Sequence, residues 1–164
     1  MLDFFAQTRT IVISLLAVAV LSVAFGWVFL GIGNEPMLDA YLFGSEARER
    51  LRGLSPAETR IHIIGTATID MLYPFAYGIF LSGVLYRLAG AWRNWLAVLP
   101  LLAIGFDLFE NIVQLLALTK SADLLDLKSF LTGPKFTLLV VSVAIILLML
   151  LSQFIRSIRG RGGA

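Results

Sequence analysis

Four long apolar runs dominate this chain and are separated by short polar stretches. They cover roughly residues 11–32, 57–87, 94–118 and 134–156. Each run is long enough to cross a hydrocarbon core of about 30 Å as a helix that rises about 1.5 Å per residue. A helix satisfies its own backbone hydrogen bonds in lipid. The runs therefore predict an all-α integral membrane protein, with four transmembrane helices in an antiparallel bundle that forms one domain over residues 1–164.

The composition supports a membrane protein and excludes several kinds of site. Apolar residues make up 59% of the chain and charged residues 15%, whereas soluble domains have roughly 45–50% and 25%. The chain has no cysteine and one histidine. Disulfides, thiolate metal sites, iron–sulfur clusters and bis-histidine haem ligation within one chain are therefore excluded. The basic residues lie in loops and at the C-terminus, as membrane topology requires, so no nucleic-acid partner is predicted.

Proline marks two predicted helix starts. The sequence Ser55-Pro56-Ala57-Glu58 combines a capping box with proline at the first helical position. By the same argument, Gly133-Pro134 predicts the start of the fourth span. The long 34–60 loop has an apolar beginning and a charged end. We expect it to carry a short interfacial helix or to cover a cavity as a lid.

Lysine and arginine positions indicate an orientation, although a raw count of the two sides does not. Four spans place both termini and the 88–94 turn on one side. Basic residues on that side lie beside the span ends with few acidic residues, whereas the opposite loops mix both signs. We therefore predict cytoplasmic termini in a bacterial-type inner (plasma) membrane. The basic residues of the cytoplasmic side would be Arg9, Arg87, Arg93, Arg156, Arg159 and Arg161.

The second and third spans each carry one polar stripe in an otherwise apolar helix. Residues three or four apart share a helix face, and both stripes follow that spacing. Polar side chains that face lipid are costly, so the stripes should face each other or a common cavity. The stripes consist of His62, Thr66, Asp70, Tyr73 and Tyr77 in the second span, and Asp107, Glu110, Asn111 and Gln114 in the third.

The tight turn at residues 90–91 predicts that the two stripes meet at one depth. Residues equally distant from the turn lie at the same height, because both helices rise equally. Asp70 is then level with Glu110 and Asn111. It lies roughly 13 Å from the long-loop end of its span. We predict an intramembrane acidic site that opens to the outer side.

Asp70 combines two oxygen acceptors at one position. Pro74 lies four residues later and has no N–H, so the Asp70 carbonyl loses its helical hydrogen-bond partner. Asp70 therefore offers both a carboxylate and an unpaired backbone carbonyl. Such a group is tolerated in a membrane where protein, water or an ion satisfies it.

The three carboxyls of Asp70, Asp107 and Glu110 lack a basic neighbour within their own helices. No lysine or arginine lies between residues 61 and 86 or between 95 and 118. Either at least one carboxyl is protonated, or a cation lies among the three. A divalent cation is one variant of this hypothesis. Lys135 lies on the same side and either approaches the cavity or anchors the fourth span at the interface.

These features favour a membrane enzyme that performs acid/base chemistry on a lipid or isoprenoid-like substrate. Asp107 or Glu110 would supply the acid and base, while Asp70 would polarise or orient the substrate. The predicted catalytic residues are Asp70, Tyr73, Asp107, Glu110 and Asn111, and the predicted substrate-binding residues are His62, Thr66, Tyr77, Gln114 and Arg60.

Two other classes of function stay open at this point. One is a proton- or cation-coupled transporter or channel subunit, and the other is a non-catalytic assembly subunit. A homo-oligomer is compatible with either, and four spans would need one to form a complete transport pathway. The polar stripes fade towards the inner end of both spans, and a blind-ended cavity suits a binding site better than a conduit. The predicted partners are the bilayer and a hydrophobic, lipid-like ligand.

Overall fold

A computed structural model describes residues 2–161, with side chains up to residue 159, and every regular element in that range is helical. Four helical stretches are long and apolar enough to cross a membrane, and they begin at Thr8, Pro56, Gly90 and Leu125. The predicted all-α class is thereby confirmed, and so is the presence of four helices long and apolar enough to span a membrane. The predicted domain also includes residues 1 and 162–164 and the side chain of Arg161. These lie outside the described part of the chain.

Breaks and short turns divide the described residues into eight α-helices. Single 3-10 turns lie at Leu38–Ala40 and Gly90–Trp92, and a π-helical turn lies at Thr66–Asp70. The α-helices are α1 Leu2–Phe5, α2 Thr8–Gly31, α3 Gly44–Gly53, α4 Pro56–Gly65, α5 Met71–Leu88, α6 Arg93–Leu96, α7 Val98–Leu118 and α8 Leu125–Arg161.

The second span begins as predicted and contains one irregularity that was not predicted. The Ser55 hydroxyl accepts from the Glu58 N–H at 3.3 Å, and the Glu58 carboxylate accepts from the Ser55 N–H at 2.8 Å. This capping box starts α4. The π-helical turn then joins α4 to α5 without interrupting the span. Such turns widen a helix locally and are frequent at functional sites.

The predicted start of the fourth span at Pro134 is wrong. Helix α8 begins at Leu125, and Pro134 lies inside it. Leu125, Lys128 and Thr132 have no exposed surface, and their spacing of three and four places them on one helix face. Burial of this face favours a helix that continues through the proline, although proline is unfavourable in a helix interior.

Helices α5 and α7 form the centre of the bundle, and α2 and α8 flank it. Helix α7 packs against both α5 and α8, and α5 also packs against α2. Only 11% of the most apolar window is buried in α2 and in α8, against 44% and 39% in the two central spans. The flanking helices therefore present most of the surface available to lipid.

The first connection, which we define as residues 32–55, is folded onto the beginning of α8. Leu38 and Ala47 of this connection are buried in one cluster with Leu125. The Gly44 N–H donates to the Ser129 hydroxyl at 2.9 Å. Arg48 donates to both carboxylate oxygens of Asp126 and to the carboxylate of Asp123, each at 2.8 Å. Helix α3 lies within this connection, and its position at a membrane interface stays a prediction.

Candidate functional site

A cleft of about 500 Å³ lies between α2, α5, α7 and α8, with Asp39 of the first connection at its margin. Its lining changes from polar to apolar along the helices. On the second span the lining runs from Asp70, at the end of the π-helical turn, through two tyrosines of α5 to Leu81, and on α8 it runs from Lys135 to Val143. The cleft is therefore amphiphilic along its length. Its remaining lining residues are Ser22, Phe25, Tyr73, Tyr77, Asp107, Phe136 and Leu139.

Asp107 is held by two donors in the cleft wall. The Tyr77 hydroxyl donates to its Oδ2 at 2.7 Å, and Lys135 Nζ lies 3.2 Å from its Oδ1. Counted from the turn at residues 90–91, as for Asp70, Asp107 is expected level with Tyr73 rather than with Tyr77. Long helical side chains lean towards the N-terminus of their helix. The Tyr77 hydroxyl is therefore expected closer to the start of α5 than the Tyr77 backbone, where it reaches Asp107.

Glu110 lies behind the cleft wall and contacts two ammonium groups. Its Oε1 is 3.0 Å from Lys128 Nζ and accepts from the Thr132 hydroxyl at 2.7 Å. Its Oε2 is 2.6 Å from Lys135 Nζ. Glu110, Lys128 and Thr132 have no exposed surface. Lys128 also donates to the Tyr41 carbonyl oxygen, which connects this buried group to the first connection.

The counter-charges missing from the second and third spans therefore come from α8. Of the two alternatives left open for Lys135, approach to the cavity is the one observed. Lys128 was not predicted, because it precedes the expected helix start at Pro134. The signal was present in the spacing of Leu125, Lys128 and Lys135, at intervals of three and seven residues on one helical face.

Asp70 differs from the other two carboxyls because it forms no ion pair with any of residues 2–159. Its residue is only 3% exposed, and its Oδ2 is buried without a hydrogen-bond partner among the described residues. Its backbone carbonyl, freed by Pro74, accepts from Asn111 Nδ2 at 2.9 Å. The predicted common depth of Asp70 and Asn111 agrees with this contact. The carbonyl is thus satisfied within the protein, while the carboxylate is left for another partner.

Asp39 is a further carboxyl that lines the cleft, and it was not predicted from the sequence. It lies in the 3-10 turn of the first connection and is half-buried. Burial raises the pKa of Asp39 above its ordinary value, the Lys135 ammonium opposes this rise, and the Glu110 and Asp107 carboxyls add to it. No helical periodicity marks a residue in such a turn, so its approach to the stripes is a purely tertiary feature.

The carboxyl arrangement does not fit the divalent-cation variant. Among residues 2–161, no three side chains of histidine, cysteine, aspartate or glutamate are grouped so that they could hold a metal ion. The Lys135 ammonium instead contacts both Asp107 and Glu110. A lysine cation therefore lies where that variant placed a metal.

Four of the five predicted substrate-binding residues lie outside the cleft lining, and only Tyr77 belongs to it. His62 is fully buried, and its Nε2 accepts from the Leu38 N–H at 3.2 Å, so it fastens the first connection. Thr66 and Gln114 are also fully buried, and Gln114 Nε2 lies 3.5 Å from Asn111 Oδ1. Arg60 is exposed.

An aromatic wall completes the cleft on the α2 side. The Tyr73 ring packs edge-on against Phe25 and Tyr77, with ring centroids 5.2 Å and 5.7 Å apart. Its hydroxyl lies 3.2 Å from the Ser22 hydroxyl. Tyr73 was predicted as a catalytic hydrogen-bond donor, and it does lie at the polar part of the cleft.

The fold and the cleft define a polytopic membrane protein with carboxyl and ammonium groups buried among its spans. No protein-family model, curated protein or solved structure matches this chain. The functional argument consequently rests on the geometry and charge of the cleft.

Proposed function

We propose that this protein is a membrane-embedded enzyme that performs acid/base chemistry on an amphiphilic, lipid-like molecule bound in the cleft. The supporting observation is Asp70, whose buried Oδ2 has no hydrogen-bond partner among residues 2–159 and which lies in a cleft with an apolar lining farther along. Ionisable residues inside membrane spans are costly and are functional by default. A buried carboxyl beside an apolar cleft lining suits a site that binds both a polar head group and a hydrocarbon chain.

The charges of the site assign different roles to its carboxyls. A general acid or base must exchange a proton with the substrate, whereas Asp107 and Glu110 are already bound by ammonium groups. Asp70 is therefore the proton-exchanging group. Tyr77, Asp107 and Lys135 form a connected wall that orients the head group and stabilises charge in it. This assignment reverses the roles expected from sequence, in which Asp107 and Glu110 formed the acid/base pair.

The substrate enters sideways from the bilayer in this proposal. Phe25 of α2 and Phe136 of α8 both line the cleft. These two helices carry most of the lipid-accessible surface of the bundle. A hydrocarbon chain can then slide between them while the head group reaches Asp70. The apolar inner end of the cleft favours this reading over a conduit for ions.

We also propose that the four spans are antiparallel, with both termini in the cytoplasm of a bacterial-type inner membrane and the cleft open to the outer side. Basic residues adjacent to the span ends support this orientation. Single cysteines introduced at exposed positions into this cysteine-free chain test it by their access to a membrane-impermeant maleimide. Ser121→Cys should react from outside intact cells, and Ser157→Cys only after lysis; the reverse pattern would invert the orientation.

Lipid turnover tests the catalytic proposal directly. The purified protein is placed in nanodiscs with a total lipid extract, and lipid species are followed by mass spectrometry. The wild type should convert at least one lipid species, and Asp70→Asn should abolish that conversion. Glu49→Gln is the matched control, because Glu49 is exposed, does not line the cleft and forms no ion pair with any of residues 2–159. Equal turnover by Asp70→Asn would refute the role of Asp70.

The same variants separate the two other classes of function. A transporter or channel subunit predicts pH- or cation-dependent flux across liposomes that is lost in Asp70→Asn, without lipid turnover. An assembly subunit predicts that Asp70→Asn first changes the oligomeric state in detergent. Either result without lipid conversion by the wild type would replace the enzyme proposal.

A further inference from the structure

The cleft and the groups behind it contain more carboxyls than ammonium groups. Both ammonium groups are engaged, since Lys128 contacts Glu110 and Lys135 contacts both Glu110 and Asp107. Among residues 2–159, the remaining two carboxyls, of Asp39 and Asp70, form no ion pair. Two carboxyls at the cleft are therefore left without an ammonium partner among these residues.

We propose that the cleft selects an amphiphile whose head group is a cationic amine, bound between Asp39 and Asp70. This inference rests on the proposed function and specifies its substrate class. A primary or quaternary ammonium supplies the positive charge that the two carboxyls lack, and the attached hydrocarbon chain follows the apolar lining towards Val143.

Asp70 is the stronger of the two anchors because of its burial. A buried carboxylate without a partner is costly, and an opposite charge that also donates a hydrogen bond to it removes much of that cost. Asp70 is 3% exposed and its Oδ2 has no partner among the described residues. A cationic head group that donates to this oxygen gains from both effects. An anionic head group would instead need a free cation, and Lys135 is already shared by two carboxylates.

The aromatic wall beside Asp70 favours the same class of ligand. Phe25 and Tyr73 line the cleft and pack against each other with ring centroids 5.2 Å apart. Aromatic rings attract ammonium groups through their quadrupole, and they recognise alkylated ammonium ions in particular. The cleft thus offers a carboxylate and aromatic rings to an ammonium group, and an apolar lining to the attached hydrocarbon chain.

Photo-crosslinking with two matched probes tests this selection. The full-length protein in nanodiscs of zwitterionic lipid is labelled with hexadecylamine that carries a diazirine in its chain. Hexadecanol with the same diazirine is the neutral probe. We expect the amine to label α5 or α8 at the cleft at least about tenfold more than the alcohol, and hexadecyltrimethylammonium to compete. Tenfold corresponds to about 1.4 kcal/mol of binding free energy.

Carboxyl variants connect the labelling to the proposed anchors. Asp70→Asn and Asp39→Asn should each reduce amine labelling to the level of the alcohol, while Glu49→Gln, at an exposed position outside the cleft lining, leaves it unchanged. Asp39 is half-buried in the first connection, so its variant keeps the test informative if Asp70→Asn folds poorly. Equal labelling by both probes in all variants would overturn the amine inference.

The failure of this inference is distinguishable from failure of the proposed function. If both probes label the cleft equally and Asp70→Asn still abolishes lipid turnover, the substrate has a neutral head group and the enzyme proposal stands. If neither probe labels the cleft and the wild type converts no lipid, both proposals fail.

Discussion

Lys128 Nζ lies 3.0 Å from Glu110 Oε1, and neither side chain has any exposed surface. The pair joins the beginning of α8 to the middle of α7. A buried ion pair adds little stability compared with apolar packing, but the loss of one partner leaves the other charge uncompensated. The pair therefore specifies where α8 lies against α7, and with it the position of Lys135 in the cleft.

Removal of the Lys128 charge should destabilise the protein strongly. We expect Lys128→Met to lower the free energy of unfolding by about 1–3 kcal/mol, because buried Glu110 keeps only Lys135, which it shares with Asp107, and part of its charge is left uncompensated. Chemical denaturation in detergent micelles, followed by circular dichroism, measures the change. Lys120→Met is the control, since Lys120 is exposed. A loss no larger than in this control would contradict a structural role for the pair.

The double variant Lys128→Met with Glu110→Gln should recover part of that loss. Neutralising both partners removes the uncompensated charge, so the two effects should not add. Additive losses in the same denaturation experiment would mean that the two side chains act independently.

Asn111 and Pro74 should be energetically coupled through the Asp70 carbonyl. Asn111→Leu removes the donor to this carbonyl and should cost about 1–3 kcal/mol, the cost of a buried acceptor without a partner. Pro74→Ala restores a backbone N–H that can donate to the same oxygen. Asn111→Leu should therefore cost less in the Pro74→Ala background. A double-mutant cycle measures the coupling, and a value near zero would rule out the shared carbonyl.

Gly44 should tolerate no side chain, whereas Gly53 at the other end of α3 should. A Cβ at Gly44 would collide with the Leu125 carbonyl oxygen, but a Cβ at Gly53 would meet nothing within 4 Å. We expect Gly44→Ala to detach the first connection from α8 and Gly53→Ala to leave it in place. Hydrogen exchange of residues 38–53 reports the difference. Equal protection in both variants would show that the contact at Gly44 does not hold the connection.

The first connection should loosen in acid because of Arg48. The hydrogen bond from Arg48 lowers the pKa of Asp123 below its ordinary value of 3.8. The hydrogen bonds to Asp126 and Asp123 raise the pKa of the Arg48 guanidinium. A carboxyl whose pKa is lower in the folded protein than in the unfolded protein stabilises the fold at pH values above its unfolded-state pKa. This stabilisation is lost as the pH falls through its folded-state pKa. Spin labels at Ser45→Cys and Ser121→Cys should therefore report a broader distance distribution below about pH 4.

Two arginine variants of the labelled protein define the source of this change. Arg48→Gln should show the broad distribution already at neutral pH, since the ion pairs with Asp123 and Asp126 are gone. Arg52→Gln, an exposed position on the same helix, should behave like the parent. Acid broadening that persists unchanged in Arg48→Gln would assign the effect to another group.

Several features of the candidate site could be predicted because they depend on local spacing. The stripes on the second and third spans follow helical periodicity, and the tight turn between them sets a common height. The contact between Asn111 and the Asp70 carbonyl agrees with that height. The π-helical turn at Thr66–Asp70 could not be predicted in this way, because the sequence periodicity is compatible with an unbroken α-helix.

The sequence by itself determined the four apolar spans, the capping box at Ser55 and the acidic stripes, since hydropathy and helical period depend on neighbouring residues. The tertiary structure decided which carboxyls have counter-charges. Lys128 and Lys135 pair with carboxyls on α7, while Asp39 joins the cleft from the first connection. These contacts depend on how distant segments pack, and in a low-dielectric interior that packing determines which charge is left for a ligand.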